Sequence, residues 1–286
     1  MANKTIITVA VTGAITPSGY KIPETPEQIA QDAYDCWKAG ASIVHLHMRD
    51  ENGEGTMDVA RFAETIKLIR AHEDCDIIIN CTGSGAGPHH PVTDDQRMEH
   101  FNTLEGIEMG SYDAGSMNWM SNKTVFMNSP VFLEKLGDCM IERGIKPELE
   151  VFDAGMLNVV EINVKNGHLK TPCHYQFCLG VQGGMPATVE SLQYLSSHIP
   201  AGSTWSAFGV GKGHMPVLYG ALALGGHVRV GLEDNVVYGK DANGQKIIAT
   251  NVMLVERAAR AIREFGNEVA TPAEAREMLG IPALVR

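Results

Sequence analysis

Hydrophobic and polar positions alternate between two rhythms along this chain: short, nearly continuous apolar runs, and longer stretches spaced for one face of a helix. Residues 5–11 (TIITVAV) are β-branched and apolar, as a strand buried on both faces requires. Thr25, Pro26 and Gln28 then form a capping-box pattern with proline at the first helical position, which predicts a helix through Trp37 ended by Gly40. Residues 42–48 predict the second strand. Val59, Phe62, Ile66 and Ile69 give residues 57–71 a helical period, and 76–80 (DIIIN) predict the third strand. The beat continues with a helix at 93–101, a strand at 106–111, a helix at 130–143 and a strand at 148–153. Strands at 174–179, 203–208 and 227–232 follow, separated by helices at 188–198 and 214–224. Residues 124–127 are assigned to a hairpin on the rim, because 112–123 contain glycine and lack a helical period. Helices at 251–265 and 272–279 either cover the barrel or reach a neighbouring subunit.

Eight parallel strands with intervening helices predict a closed (β/α)8 barrel of TIM type. It is expected as one α/β domain over residues 1–286 with a C-terminal helical extension. An open doubly wound sheet is the alternative, in which the beat stops at five or six strands.

Composition narrows the function. With 44% hydrophobic and 20% charged residues the chain is that of a globular protein with a large core. A formal charge of −11 argues against nucleic-acid and anionic-membrane partners, which are bound through clustered Lys and Arg, yet leaves room for a local basic pocket. The six cysteines follow no repeating frame and no secretion leader is evident, which suits a reducing cytoplasm. Cys173 and Cys178 are expected as core thiols. No apolar run reaches the roughly 18 residues needed to span a bilayer.

Candidate chemistry gathers at the predicted strand ends. In IVHLHMRD (43–50), His45 and His47 share one face of the second strand, so two imidazoles one pleat apart can grip a single ion. Zn²⁺ suits such ligands and takes a third from elsewhere; hydrogen-bonded histidines without metal are the alternative. Glycine turns follow the third, sixth and seventh strands at 80–87, 181–186 and 209–214. Together they point to a phosphate-bearing ligand with Lys212 as its charge partner. Glu148 and Glu150 share a face of the fifth strand. Alternation along the eighth places Arg229, Gly231 and Glu233 on one face, making Glu233 the natural third metal ligand, with Asp234 and Arg229 as a charged pair beside it. A structural salt bridge is the other account of that pair.

The strings VTGAITPS (11–18), GASIVHLHMRDENGEG (40–55), INCTGSGAG (79–87), SYDAGSMNW (111–119), KPELEVFDAG (146–155), LGVQGGMPA (179–187), WSAFGVGK (205–212) and RVGLEDN (229–235) carry a resemblance over nearly the full chain. They are similar to the β-keto acid cleavage enzymes, whose founding activity cleaves 3-keto-5-aminohexanoate. The resemblance implies a zinc-dependent barrel, commonly a homotetramer, that condenses a β-keto acid with acetyl-CoA and releases acetoacetate and a new CoA thioester. It implies zinc on His45, His47 and Glu233, and Asp234, paired with Arg229, as the base. It also implies substrate contacts from Ser111, Glu148 and Gly83, with Cys81 and Thr82 at catalytic positions. Two positions depart from the family pattern. Cys81 stands where the founding activity uses serine, and Ile15 where it keeps a glutamate for the substrate ammonium, so a neutral or apolar β-keto acid is expected. A metal-dependent barrel aldolase or hydrolase without acetyl-CoA uses the same donors, and a non-catalytic zinc brace or ligand sensor is the remaining alternative.

Overall fold

Apolar runs bounded by turn residues become strands because burial on both faces suits β-branched side chains. In the computed structural model, which describes residues 3–15, 18–87 and 90–285, eight such strands close a parallel barrel. They are β1 (Ile7–Ala10), β2 (Ile43–Leu46), β3 (Ile78–Cys81), β4 (Met109–Asp113), β5 (Lys146–Val151), β6 (His174–Leu179), β7 (Thr204–Gly209) and β8 (His227–Val230). Each pairs with the next in sequence, and β8 pairs back onto β1. The helices are α1 (Pro26–Ala39), α2 (Val59–Ala71), α3 (Asp94–Thr103), α4 (Pro130–Arg143), α5 (Gly155–Asn166), α6 (Val189–Ser197), α7 (His214–Ala223), α8 (Asn251–Glu264) and α9 (Pro272–Leu279).

Thr25 and Gln28 form the expected reciprocal cap on α1, and Gly40 ends that helix in the left-handed conformation. The rim hairpin is present, with Met117–Trp119 antiparallel to Thr124–Phe126. All six cysteines are buried and free. No helix among the described residues is long and apolar enough to cross a membrane. Thr16 and Pro17, in the first loop, lie outside the described residues.

Several boundaries differ from the sequence expectation. The second strand stops at Leu46, because Met48–Arg49 turns to pair antiparallel with Gly55–Thr56. The eighth stops at Val230. Gly231 adopts φ 148°, packed so closely on the Ala10 carbonyl that a β-carbon would collide, and the chain turns there. Alternation therefore does not place Glu233; a turn does, with the Asp234 and Asn235 N–H groups both donating to the Gly231 carbonyl. Helix α5 was not anticipated, since Ala154 at its start offers no side-chain cap. Nor was the hairpin of Val237–Lys240 with Lys246–Ile248.

Two apolar layers result. The larger fills the space between barrel and helices. The smaller closes the N-terminal mouth of the barrel, where Ile6, Ile43, Ile78 and Met109 pack against Ala275, Leu279 and Ile281. Arg276 of α9 secures this closure with ion pairs to Glu108 at 2.6 Å and a hydrogen bond to the Asp76 carbonyl at 2.8 Å.

Candidate active site

Toward the C-terminal strand ends the inward positions turn polar. β2 contributes His45, β4 Ser111 and Asp113, β5 Glu150 and β8 Arg229; the turns beyond add His47, Thr82, Glu233 and Asp234. These residues line one cavity of about 420 Å³. Ile15, Trp119, Phe126, Phe152, Val181 and Phe208 make much of its remaining wall apolar.

The two histidine rings lie 5.0 Å apart, centroid to centroid. His45 Nε2 is 3.8 Å from Glu233 Oε2, and His47 Nε2 is 3.6 Å from Glu233 Oε1. One donor atom from each residue falls within 4.8 Å of the other two. Zinc bonds of about 2 Å place tetrahedral donors about 3.3 Å apart, so these three could hold a metal after a small closure. Glu233 Oε2 is buried without a hydrogen-bond partner, as a ligand oxygen waiting for a cation is.

Charge makes the same point. The Arg229 guanidinium lies 2.6 Å from Glu233, 3.1 Å from Asp234, 3.1 Å from Glu150 and 4.0 Å from Glu148. One guanidinium thus faces four carboxyl groups, and a divalent ion on the histidine side would fit the negative charge left on Glu233. Burial works against ionisation of Glu233, but Arg229 with His47 and His45 holds its carboxyl well below the usual range. Burial pushes Asp234 up to about 7 against the pull of Arg229. Glu150 is driven well above the usual range, first by burial and then by Asp113. Arg229 donates to Asp234 through Nε and Nη2, both at 3.1 Å, which fixes the carboxylate in a fork.

The remaining expected residues divide. Thr82 and Ser111 line the cavity, and Ile15 stands at it, 38% exposed. Gly83 supports the wall rather than lining it: its N–H donates to Ser111 Oγ at 2.8 Å. Glu148 is fully buried and lies behind His45, with Oε2 3.6 Å from Nδ1, instead of facing the cavity. Cys81 points into the apolar layer between barrel and helices, and burial raises its thiol pKa far from ionisation. Lys212 is exposed and lines no part of the cavity. The glycine turn after β3 lines it through Gly85 and Gly87, and the turns after β6 and β7 reach it through Val181 and Val210. Gly183 instead packs against the Asn118 carbonyl of the rim hairpin.

Two contributors went unread in the sequence. Asp113 lies two residues beyond Ser111 on β4, so strand period alone could have found it. Arg97 of α3 also lines the cavity, donating to the Gly83 carbonyl at 2.8 Å and the Met127 carbonyl at 3.0 Å. A lone arginine on a polar helix carried no signal.

A closed parallel barrel whose strand ends bring histidines, carboxylates and an arginine onto one cavity is a barrel enzyme. The family model described as beta-keto acid cleavage enzyme matches residues 4–281. The 3-keto-5-aminohexanoate cleavage enzyme of Fusobacterium nucleatum subsp. nucleatum is 41% identical over 285 residues, covering 98% of this chain and 99% of that protein. The 3-dehydrocarnitine:acetyl-CoA trimethylamine transferase of Rhizobium meliloti is 33% identical over 299 residues, covering 98% and 97%. A solved ternary complex of ObcA with a C4-CoA adduct and oxalate shares the fold, with TM-score 0.78 at 20% identity over 91% of this chain and 67% of that one. The chain belongs to the β-keto acid cleavage enzyme family. It is accordingly an enzyme of β-keto acid cleavage and acyl transfer.

Proposed function

We propose that this enzyme condenses a neutral or apolar β-keto acid with acetyl-CoA, with zinc on His45, His47 and Glu233, and releases acetoacetate and a new acyl-CoA. The observation that carries the reading is the three-donor set open to a largely apolar cavity, with Asp234 clamped beside it by Arg229. Acetyl-CoA as co-substrate is supported by the Rhizobium relative, whose name includes it.

Bound there, zinc supplies Lewis acidity toward the keto oxygen. Asp234 takes the C2 proton, and a carboxyl raised to about 7 is a base matched to neutral pH. Arg229 aims that base and balances its charge. The C2 carbanion bonds to the acetyl carbonyl carbon, and the CoA thiolate leaves. The thiolate then adds to the original keto carbon. Cleavage of the C2–C3 bond leaves its electron pair on C2, to which Asp234 returns the proton. Thr82 and Ser111, steadied by Gly83, offer hydroxyls to the substrate carboxylate, while Ile15 and the aromatic wall take an apolar acyl group. Cys81 acts only as packing, and Glu148 acts from behind His45. The same reading makes the protein a cytoplasmic homotetramer.

The test is a product assay on zinc-loaded protein with acetyl-CoA and a panel of β-keto acids, with His47→Ala and Glu233→Ala as controls. Mass spectrometry is expected to find acetoacetate only when both co-substrates are present, and none in either variant. Turnover without acetyl-CoA would move the assignment to a metal-dependent aldolase or hydrolase; bound zinc with no turnover on any keto acid would move it to a non-catalytic role.

A further inference from the structure

Asn80 of β3 is fully buried and is the register partner of His45 on β2. Its Nδ2 donates to Glu148 Oε2 at 2.7 Å. A carboxylate oxygen accepts there, so the amide orientation is settled: nitrogen toward Glu148, Oδ1 on the other side. Asn80 Oδ1 and His45 Nδ1 are both buried and neither has a hydrogen-bond partner. The polar group near Nδ1, Glu148 Oε2 at 3.6 Å, is an acceptor, and the Asn80 amide holds it there. Nδ1 carries the hydrogen, and Nε2 keeps its lone pair 3.8 Å from Glu233 Oε2.

We propose that Asn80 is a positioning residue: tied to Glu148 by its amide, it holds the Nδ1–H tautomer of His45 and so presents a bare Nε2 to the metal. The proposal rests on the metal reading above, because its consequence is metal affinity. A histidine ligand held in the wrong tautomer must exchange its proton before it can bind, and partners of this kind typically alter affinity about 10–100-fold.

Two measurements separate the proposal from that reading. In metal-free protein labelled with ¹⁵N-histidine, long-range ¹H–¹⁵N NMR is expected to show His45 as the Nδ1–H tautomer; an Nε2–H pattern overturns the proposal without reference to any metal. In competition with a chromophoric chelator, Asn80→Leu is expected to bind zinc about 10–100-fold more weakly than wild type. Asn80→Asp, which cannot donate to Glu148, is expected to bind zinc as weakly as Asn80→Leu. Equal zinc affinity in Asn80→Leu and wild type overturns the positioning role. Wild type that shows the Nδ1–H tautomer yet takes up no stoichiometric zinc overturns the metal reading, and with it the role assigned to the tautomer.

Discussion

Ile15 lines the apolar side of the cavity. In the function proposed above it takes the place of a carboxylate, and an apolar side chain there offers nothing to a substrate ammonium. Ile15→Glu is expected to raise kcat/KM for an amino-bearing β-keto acid by about tenfold or more while lowering it for an apolar one, since one charge partner moves discrimination by that order. Parallel kinetics on the two substrates check this, and unchanged ratios would remove Ile15 from the specificity wall. At this scale the sequence was informative wherever a charged or imidazole side chain interrupted an apolar run. His45, His47, Arg229 and Glu233 stood out because burying such groups is unfavourable unless they are partnered. Cys81 was harder to place. Whether a residue at a strand end faces the cavity or the helices depends on strand phase, and here Asn80 takes the inner face and Cys81 the outer one.

Elements were legible in proportion to their local signals. The helices α1, α4 and α9 sit where the sequence places them, and each carries a side-chain cap, of which only that of α1 was read from the sequence. Helix α5 lacked a side-chain cap and passed unnoticed. Strand ends were misjudged where tertiary contacts end them, as at Gly231 against the Ala10 carbonyl. The packing of these elements also stores an acid-sensitive component of stability. His100 on α3 lies between Phe62 and Phe101, and burial pushes it down to about 3. Burial likewise pushes His214 at the start of α7, and His227 on β8, down to about 4. In the unfolded chain these rings take up a proton near their ordinary 6.5, so the unfolded state binds more protons below that pH. Their stabilisation is complete above about 6.5 and is lost progressively as pH falls, to about 4 for His214 and His227 and to about 3 for His100. Urea midpoints at neutral and mildly acid pH are expected to fall accordingly, with a shallower fall in His100→Phe. An identical fall in that variant would acquit His100.

At the scale of the whole molecule, strand-helix alternation sufficed to predict the barrel, because only a closed ring gives eight consecutive parallel strands a partner on both sides. It left open whether the last helices cover the barrel or reach another subunit. Part of the answer lies in Leu279 and Ile281, which pack with Ile6, Ile43 and Ile78 at the N-terminal mouth of their own chain. Leu279→Ala is expected to lower unfolding free energy by about 2–5 kcal/mol, as large-to-small changes at buried sites do, and to leave unaltered the zinc affinity proposed above. Denaturant unfolding beside a chelator competition tests both halves; a loss of zinc affinity would show that the two mouths are coupled.

The closure by α9 and the polar cavity occupy opposite mouths of one barrel. Inheritance can therefore act on them separately. In the function proposed above, exchanges at loop positions such as Ile15 would retune which acyl group is accepted, while the helix that keeps the ring shut goes on specifying the same scaffold. One lineage can in this way diversify its diet of keto acids without having to reinvent how it folds.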